Sequence, residues 1–401
     1  MRALIADAFP AKYLDDFRSM GVEVTYDPGA SAEDLPEKAK DVDILIVRST
    51  KVGRKTIESA KALALVLRAG AGYDTIDVEA ASERGIYVAN CPGKNAVAVA
   101  ELAFGLMLAL DRRIADSTSD LKSGRWNKKE YSKANGLKGR TIGVAGLGSI
   151  GLAVIERAKA FEMRILAWSR SLHIDRADAL GVERCAGIHE LADRSDIVTV
   201  HLAQEKETKG MFDAAFFGRM KKGAMFINTS RGGLHDEAAL VRAMKERGIR
   251  AGLDVYSTEP ATATAEGFSP EVASLPGFAG THHIGASTEQ AQDAIAEEAV
   301  RITRAFIATG LPPNVVNVET RAPAKSEIVV RHYDKVGVLA HVLGIVRKFD
   351  INVAEMTNTI FRGQKAAVAV IRVESEPPAE LLKEISANED MVIQVEAKRA
   401  Q

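Results

Sequence analysis

The hexapeptide Gly146-Leu147-Gly148-Ser149-Ile150-Gly151 most constrains the fold of this chain, because it joins an apolar strand, TIGVA, directly to a helix-forming run, LAVIERAKAF. A strand, a glycine turn and a helix in that order open a βαβ unit, and such units build parallel sheets covered by helices. Each glycine has its own task. Gly146 permits the tight turn, Gly148 lets a pyrophosphate approach the backbone, and Gly151 lets helix and strand pack closely. The helix N-terminus then favours an anion. A glycine pattern of this length recurs by chance as an ordinary turn; the two flanking elements make it a dinucleotide-binding signal.

The same rhythm extends in both directions. Upstream, RALIAD, VEVTYD, DILIVRS, LALVLRAG and IYVANC read as strands separated by amphipathic or loop segments,. Residues 97–114 are apolar nearly all round, which predicts one buried helix that crosses between domains or packs on a second subunit,. Downstream, RILAWSR, DIVTVHLA, AMFINTS and IRAGLDVY continue the alternation to THHIGAS, and an amphipathic helix then leads into the proline-marked stretch LPPNVVNVETRAPAKS,. From 326 the order changes to strand, helix, two strands, helix and strand. That βαββαβ order is ferredoxin-like.

The remaining composition narrows the function. Its 53 basic and 54 acidic residues leave a formal charge of -1, so no global field recommends nucleic acid as a partner,. No run reaches membrane-spanning length, no secretory signal opens the chain, and no cluster has metal-ligand spacing,. Two cysteines, Cys91 and Cys185, suit a reducing cytoplasm and a structural role,. Cys91 precedes Pro92 at a strand end, and Cys185 is read beside a surface turn.

Three short motifs carry the chemistry: INTSRGG around Arg231, LDVYSTEP around Glu259 and THHIG around His283. Each aims one polar side chain from among small or apolar neighbours. An arginine can grip a carboxylate with two parallel hydrogen bonds, and a histidine held by a glutamate can take a hydroxyl proton near neutral pH. Alone, each has an ordinary structural explanation. Together with the glycine motif, in this order, they resemble the D-isomer-specific 2-hydroxy acid dehydrogenases over residues 1 to about 318.

That resemblance implies two doubly wound Rossmann-like α/β domains. Residues 1–96 with 287–318 would form a discontinuous substrate-binding domain, 97–286 the NAD(P)-binding domain, and 319–325 a linker to a C-terminal domain at 326–401. It also implies roles. Arg231 binds the substrate carboxylate and carbonyl, Glu259 pairs with the histidine, and His283 is the acid/base. His282 stands where the family usually has proline, but motif register selects His283. Asp254 resembles the carboxamide-binding aspartate. Ser149, Ile150, His201, Leu202, Thr229, Ser230 and Gly285 fall around the cofactor, with Ala203 where proline is common.

Cofactor choice is read from the positions about twenty residues past the glycines, where an NAD-selective site places an acid on the ribose diol. This chain has Ser169 and Arg170 there. A hydroxyl and a guanidinium can accept a 2'-phosphate, so NAD or NADP is expected, with a lean to NADP. Substrate choice is read from VRSTK, GAGYD, NAVAVAE and GRWNKKE, which resemble the members of the family that act on 3-phospho-D-glycerate. They point to Arg48, Ser49, Gly72 and Asn95, with Lys128 reaching a phosphate from a neighbouring subunit of a homodimer or homotetramer. The C-terminal domain resembles an ACT domain, and His332, Asp334 and Asn352 fall at its amino-acid effector positions. Asp334 replaces an asparagine and Val336 a proline of that pattern. Two other readings remain: a glyoxylate or hydroxypyruvate reductase, and a non-catalytic, dinucleotide-sensing protein resembling corepressors.

Overall fold

A run such as Ile44–Val47, buried at all four positions, can satisfy both of its faces only inside a parallel sheet with helices on each side,. The chain is built around two such sheets. In this computed structural model, residues 1–260, 264–319 and 324–400 are described. They form two compact units, Met1–Asn317 and Val318–Gln401. Residues 320–323 of the expected 319–325 linker lie outside the described residues.

The first sheet of the larger unit has five parallel strands in the order Glu23–Tyr26, Arg2–Ile5, Ile44–Val47, Leu65–Arg68, Tyr87–Asn90. Helix Glu289–Thr309 packs on it. The Thr288 hydroxyl caps that helix by accepting from the Ala291 N–H, and Ile295, Ala299, Ile302 and Phe306 join Ile5, Phe17, Ile44 and Leu67 in one core,. The chain beyond then runs along the sheet edge, where Val88 N–H donates to Asn317 Oδ1 at 2.8 Å.

The second sheet has seven parallel strands in the order Phe278–Gly280, Arg250–Leu253, Met225–Asn228, Ile197–Val200, Thr141–Ala145, Arg164–Trp168, Glu183–Arg184. Helix Ala96–Arg112 is buried against it through Ala100, Ala103, Met107 and Leu110. The buried helix expected over 97–114 forms and ends two residues early, at Arg112. Arg113 adopts φ 50°, and the following helix, Ile114–Lys122, has no buried residue. The reason is in the side chains: after Arg113 the apolar ring gives way to IADSTSDLK, and a left-handed residue breaks the helical register where burial stops.

Both cysteines are buried and unlinked. Burial pushes the Cys91 thiol up to about 12 and Cys185 up to about 11, which makes both poor nucleophiles,. Cys185, expected beside a surface turn, is only 1% exposed.

Three histidines, His201, His235 and His332, are buried as well, and the first two are shifted by it. Burial lowers His201 to about 3 and His235 to about 4, from 6.5. The unfolded chain therefore binds protons more readily than the folded one between pH 6.5 and 4. Stability from these groups is complete above pH 6.5 and declines as pH falls toward 4. Each tenfold loss of proton affinity on folding corresponds to ~1.4 kcal/mol, so several kcal/mol are at stake, at roughly 2–4 °C in midpoint per kcal/mol. Thermal unfolding should be flat from pH 8 to 6.5 and should lose several degrees or more by pH 5; a flat profile down to pH 5 would contradict it.

The second unit is an antiparallel four-stranded sheet in the order Val353–Ile360, Ala366–Val373, Ser326–Tyr333, Val392–Arg399. Alternating burial along Ala366–Val373 leaves one face for its helices, Val338–Lys348 and Ala379–Ser386. Val342, Ile345, Leu381 and Ile385 complete the core with Ile328, Val330 and Ile371,. The βαββαβ order and strand order are those of the ferredoxin-like fold. Among the described residues no helix is long and apolar enough to cross a membrane, and no cluster of His, Cys, Asp or Glu could hold a metal ion.

Candidate functional site

Parallel strands deliver their following residues to one edge, so the carboxyl ends of both sheets collect the site. On the second sheet Gly146, Ser169, His201, Thr229 and Asp254 each directly follow a strand. The glycines behave as their spacing implies. Gly146 has φ 101°, and a Cβ there would stand 2.3 Å from the His201 carbonyl oxygen. A Cβ on Gly151 would lie 2.0 Å from the Gly146 carbonyl oxygen, so only glycine allows helix and turn to meet,. Gly148 has no such neighbour within 4 Å; its face is open in front of the helix Ser149–Ala160. An open glycine at the head of a 12-residue helix fits a pyrophosphate,.

His283 is anchored through its backbone and through one ring nitrogen. Its backbone has φ 53°, and its N–H donates to the Asp254 carbonyl at 2.8 Å. Its Nδ1 lies 2.6 Å from Glu259 Oε2, while Glu259 Oε1 accepts from the Tyr256 N–H at 2.9 Å. Burial works to raise the Glu259 carboxyl, but hydrogen bonds from His283 and Tyr256 and the charges of His283 and Arg231 outweigh it and hold the group below its usual range,. An ionised Glu259 accepts the Nδ1 proton, which leaves Nε2 for chemistry. His282 is exposed, and the Glu259 contact goes to its neighbour.

Asp254 is the anchor of this loop. It is 1% exposed; its Oδ1 accepts from Thr281 Oγ1 at 2.6 Å and Ile284 N–H at 2.8 Å, and its Oδ2 from Gly285 N–H at 2.9 Å. Three of about four lone-pair positions are thus committed to the His283 loop. Asp254, expected at the carboxamide, also positions the loop that carries His283. Ser230 is similarly engaged, donating from Oγ to the Val200 carbonyl at 2.8 Å.

Arg231 joins the two sheets. Its Nε and Nη2 donate to Asp74 Oδ1 at 3.2 and 3.0 Å, and its Nη1 to the Ser230 carbonyl at 2.8 Å. A Cβ on Gly72 would stand 1.8 Å from Nη2, so this glycine makes room for the guanidinium. Burial would raise the Asp74 carboxyl, yet the Arg231 hydrogen bond and charge hold it below its usual range.

Arg68, Asp74 and Asp7 belong to the same region and were not legible as site residues from sequence. Arg68 ends the buried strand Leu65–Arg68 and is pushed down to about 10 by burial and by Arg231 and Arg48, against an opposing pull from Asp74. Its Nε is buried with no partner among the described residues, as are Asn95 Oδ1 and Thr229 Oγ1. Asp7 Oδ2 accepts from the Arg48, Ser49 and Thr50 N–H groups at 2.7, 3.1 and 3.1 Å, closing the loop that carries Arg48. The available signal for Arg68 was a charge at the end of an apolar strand, just before GAGYD.

Other expected residues are dispersed. Ser49 is exposed, Arg48 half-buried, and Ile150 and Leu202 partly buried beside the glycine turn. Arg170 is exposed and donates from Nη2 to Glu205 at 2.8 Å. Lys128 opens the short helix Lys128–Tyr131, which has no buried residue, and its ammonium is unpaired among the described residues. In the small unit, His332 is 2% exposed, with ring nitrogens 2.8 Å from the Tyr333 carbonyl and 3.0 Å from Asn358 Oδ1. Asn352 binds Glu374 at 2.9 Å. Val353 is level with Val373 and hence with Ser326, six residues along the strand from His332. At ~3.3 Å per residue that separates Asn352 from His332 and Asp334 by about 20 Å, so the three do not form one site within a single module.

Sequence comparison agrees with this geometry. The pattern that defines the D-isomer specific 2-hydroxyacid dehydrogenase NAD binding domain matches residues 104–285. A D-3-phosphoglycerate dehydrogenase of Methanocaldococcus jannaschii is 41% identical over 324 residues, covering 79% of this chain and 60% of the relative. A glyoxylate reductase of Thermococcus litoralis is 38% identical over 305 residues, covering 74% of this chain and 90% of the relative. Among solved structures, the NAD+-bound 3-phosphoglycerate dehydrogenase of Entamoeba histolytica superposes with a TM-score of 0.66 at 29% identity, covering 79% of this chain and 99% of that one. The chain belongs to the D-isomer specific 2-hydroxyacid dehydrogenase family of NAD-dependent oxidoreductases. It spans about 60% of the length of the Methanocaldococcus relative.

Proposed function

We propose that this chain oxidises 3-phospho-D-glycerate to 3-phosphooxypyruvate with NAD(P), a step that feeds serine synthesis. The observation that carries this reading is the clustering of three guanidiniums, Arg48, Arg68 and Arg231, at a site that also presents the His283–Glu259 pair. One arginine suffices for a carboxylate. Two more, one of them half-buried with a buried and unpartnered Nε, suit a second and more highly charged anion such as a phosphate,.

In this reading residues 1–96 and 287–318 hold the substrate and 97–286 hold the dinucleotide. Arg231, oriented by Asp74 and the Ser230 carbonyl, grips the substrate carboxylate. His283 Nε2 takes the hydroxyl proton as the carbonyl forms, and Glu259 stabilises the resulting imidazolium,. When bound, the nicotinamide ring supplies the hydride acceptor. Asp254 keeps His283 in its left-handed backbone conformation throughout.

The exposed excursion that carries Ile114, Leu121 and Trp126, the last 81% exposed, supports assembly with a second copy, from which Lys128 would reach the phosphate,. An amino-acid effector that uses His332, Asp334 and Asn352 together would likewise need two copies of the small module. Two buried, unlinked thiols suit a reducing cytoplasm,.

Steady-state kinetics on a panel of acids test the assignment. Each charge-assisted contact to the phosphate adds ~1.5–3 kcal/mol, so kcat/KM for phosphoglycerate should exceed that for glycerate by ~100-fold or more. Equal values would remove phosphoglycerate as the substrate. Faster turnover of glyoxylate or hydroxypyruvate would favour a reductase, and cofactor binding without turnover a sensing role.

A further inference from the structure

We propose that Glu205 is a cofactor-specificity residue of this chain. Paired with Arg170, it tilts the adenosine end of the crevice toward the ribose diol of NAD and against the 2'-phosphate of NADP. The proposal rests on the dinucleotide-binding reading above and goes beyond it.

The topology brings the two residues together. Arg170 follows the strand Arg164–Trp168, and Glu205 lies in the loop that leaves Ile197–Val200. Those are the two strands paired with the glycine strand Thr141–Ala145, one on each side. The Arg170 Nη2 to Glu205 Oε2 contact of 2.8 Å therefore bridges the neighbours of the strand that ends in the glycine turn. The loop itself is in close contact with that turn, because the His201 carbonyl is what a Cβ on Gly146 would strike.

The backbone that carries Glu205 is fixed. Its N–H donates to Thr208 Oγ1 at 2.8 Å, and its carbonyl accepts from the N–H groups of Thr208 and Lys209 at 3.2 and 3.0 Å. Thr208 is 3% exposed, so the turn has a buried root. The side chains above it are open, Arg170 at 65% and Glu205 at 46%, so a ligand can reach both. An exposed ion pair of this kind adds little to stability. Its consequence is local charge: the guanidinium that would meet a 2'-phosphate already faces a carboxylate, and that carboxylate repels a dianion while it can accept from a ribose hydroxyl. Neither Ser169 nor Arg170 supplies the acid that usually marks NAD selection,. Glu205 supplies it from the other side of the glycine strand.

Calorimetric titration of the purified full chain with NAD+, NADP+, 5'-AMP and 2',5'-ADP tests this without any turnover. The parent protein should bind NAD+ at least tenfold more tightly than NADP+. Glu205→Gln should tighten NADP+ and 2',5'-ADP by about tenfold while NAD+ and 5'-AMP change less than threefold, and adding Arg170→Ala should abolish the gain. A parent that binds NADP+ as tightly as NAD+, or a Glu205→Gln ratio that moves less than threefold, would overturn the proposal. Binding of neither dinucleotide would overturn the dinucleotide reading itself, which separates the two failures.

Discussion

Replacing His283 with alanine should lower kcat by about 10³-fold or more while leaving the dinucleotide Kd within about twofold, since positioned acid/base groups contribute ~10²–10⁴. The effect is expected at the top of that range because the ring is oriented by one partner and its backbone is fixed by others. Glu259 holds Nδ1, the Asp254 carbonyl holds the backbone N–H, and the Asp254 carboxylate holds the next two amides. None of these contacts involves His282, so His282→Ala should change kcat by less than about threefold. Stopped-assay kinetics together with fluorescence titration of the reduced dinucleotide check both variants. If His282→Ala is the damaging change, the assignment of the acid/base is wrong by one residue.

Arg231→Lys should reduce kcat/KM by about 10²–10⁴-fold, equivalent to ~3–5 kcal/mol of transition-state stabilisation. Lysine keeps the positive charge that holds Asp74 ionised, but it cannot present two parallel donors to a carboxylate,. The structural contribution of the side chain is its Asp74 contact, for which an ammonium is a partial substitute. Thermal midpoints should therefore stay within about 2 °C of the parent while activity falls. A collapse of the midpoint with activity per folded molecule preserved would make Arg231 a strut between the two sheets and nothing more.

Several parts of this site can be read directly from the chain. The glycines at 146 and 151 are demanded by contacts below 2.5 Å to backbone atoms, so no other residue type would serve, and such absolute demands leave a visible pattern,. Arg231, Glu259 and His283 stand out because each is polar within a short apolar or small-residue run at a strand end. Arg68 does not stand out, because one arginine after LVL resembles any charged strand terminus; what distinguishes it is burial beside two other guanidiniums. Asp7 and Asp74 are equally ordinary in sequence and act only through loops that approach them in the fold.

The same contrast runs through the smaller module. The alternation along its strands identifies the βαββαβ order, because each period-2 run must bury one face,. Yet His332, Asp334 and Asn352 look like one set when aligned by position and lie at opposite ends of the sheet when the strands are in register. Distance along a chain carries no information about distance across a sheet until pairing is known.

By itself, the sequence determined the family and the positions that carry the proposed chemistry. Local strand-turn-helix geometry and residue types at strand ends are short-range properties, and they suffice to specify a dinucleotide turn and to single out Arg231, Glu259 and His283. The tertiary structure decided what each group is free to do. It joined Arg231 to Asp74, committed Asp254 to the His283 loop, separated His283 from His282 and set Glu205 against Arg170. The physical reason is that parallel strands carry their end residues to a common edge, so partners come from neighbouring strands and not from neighbouring positions in the chain.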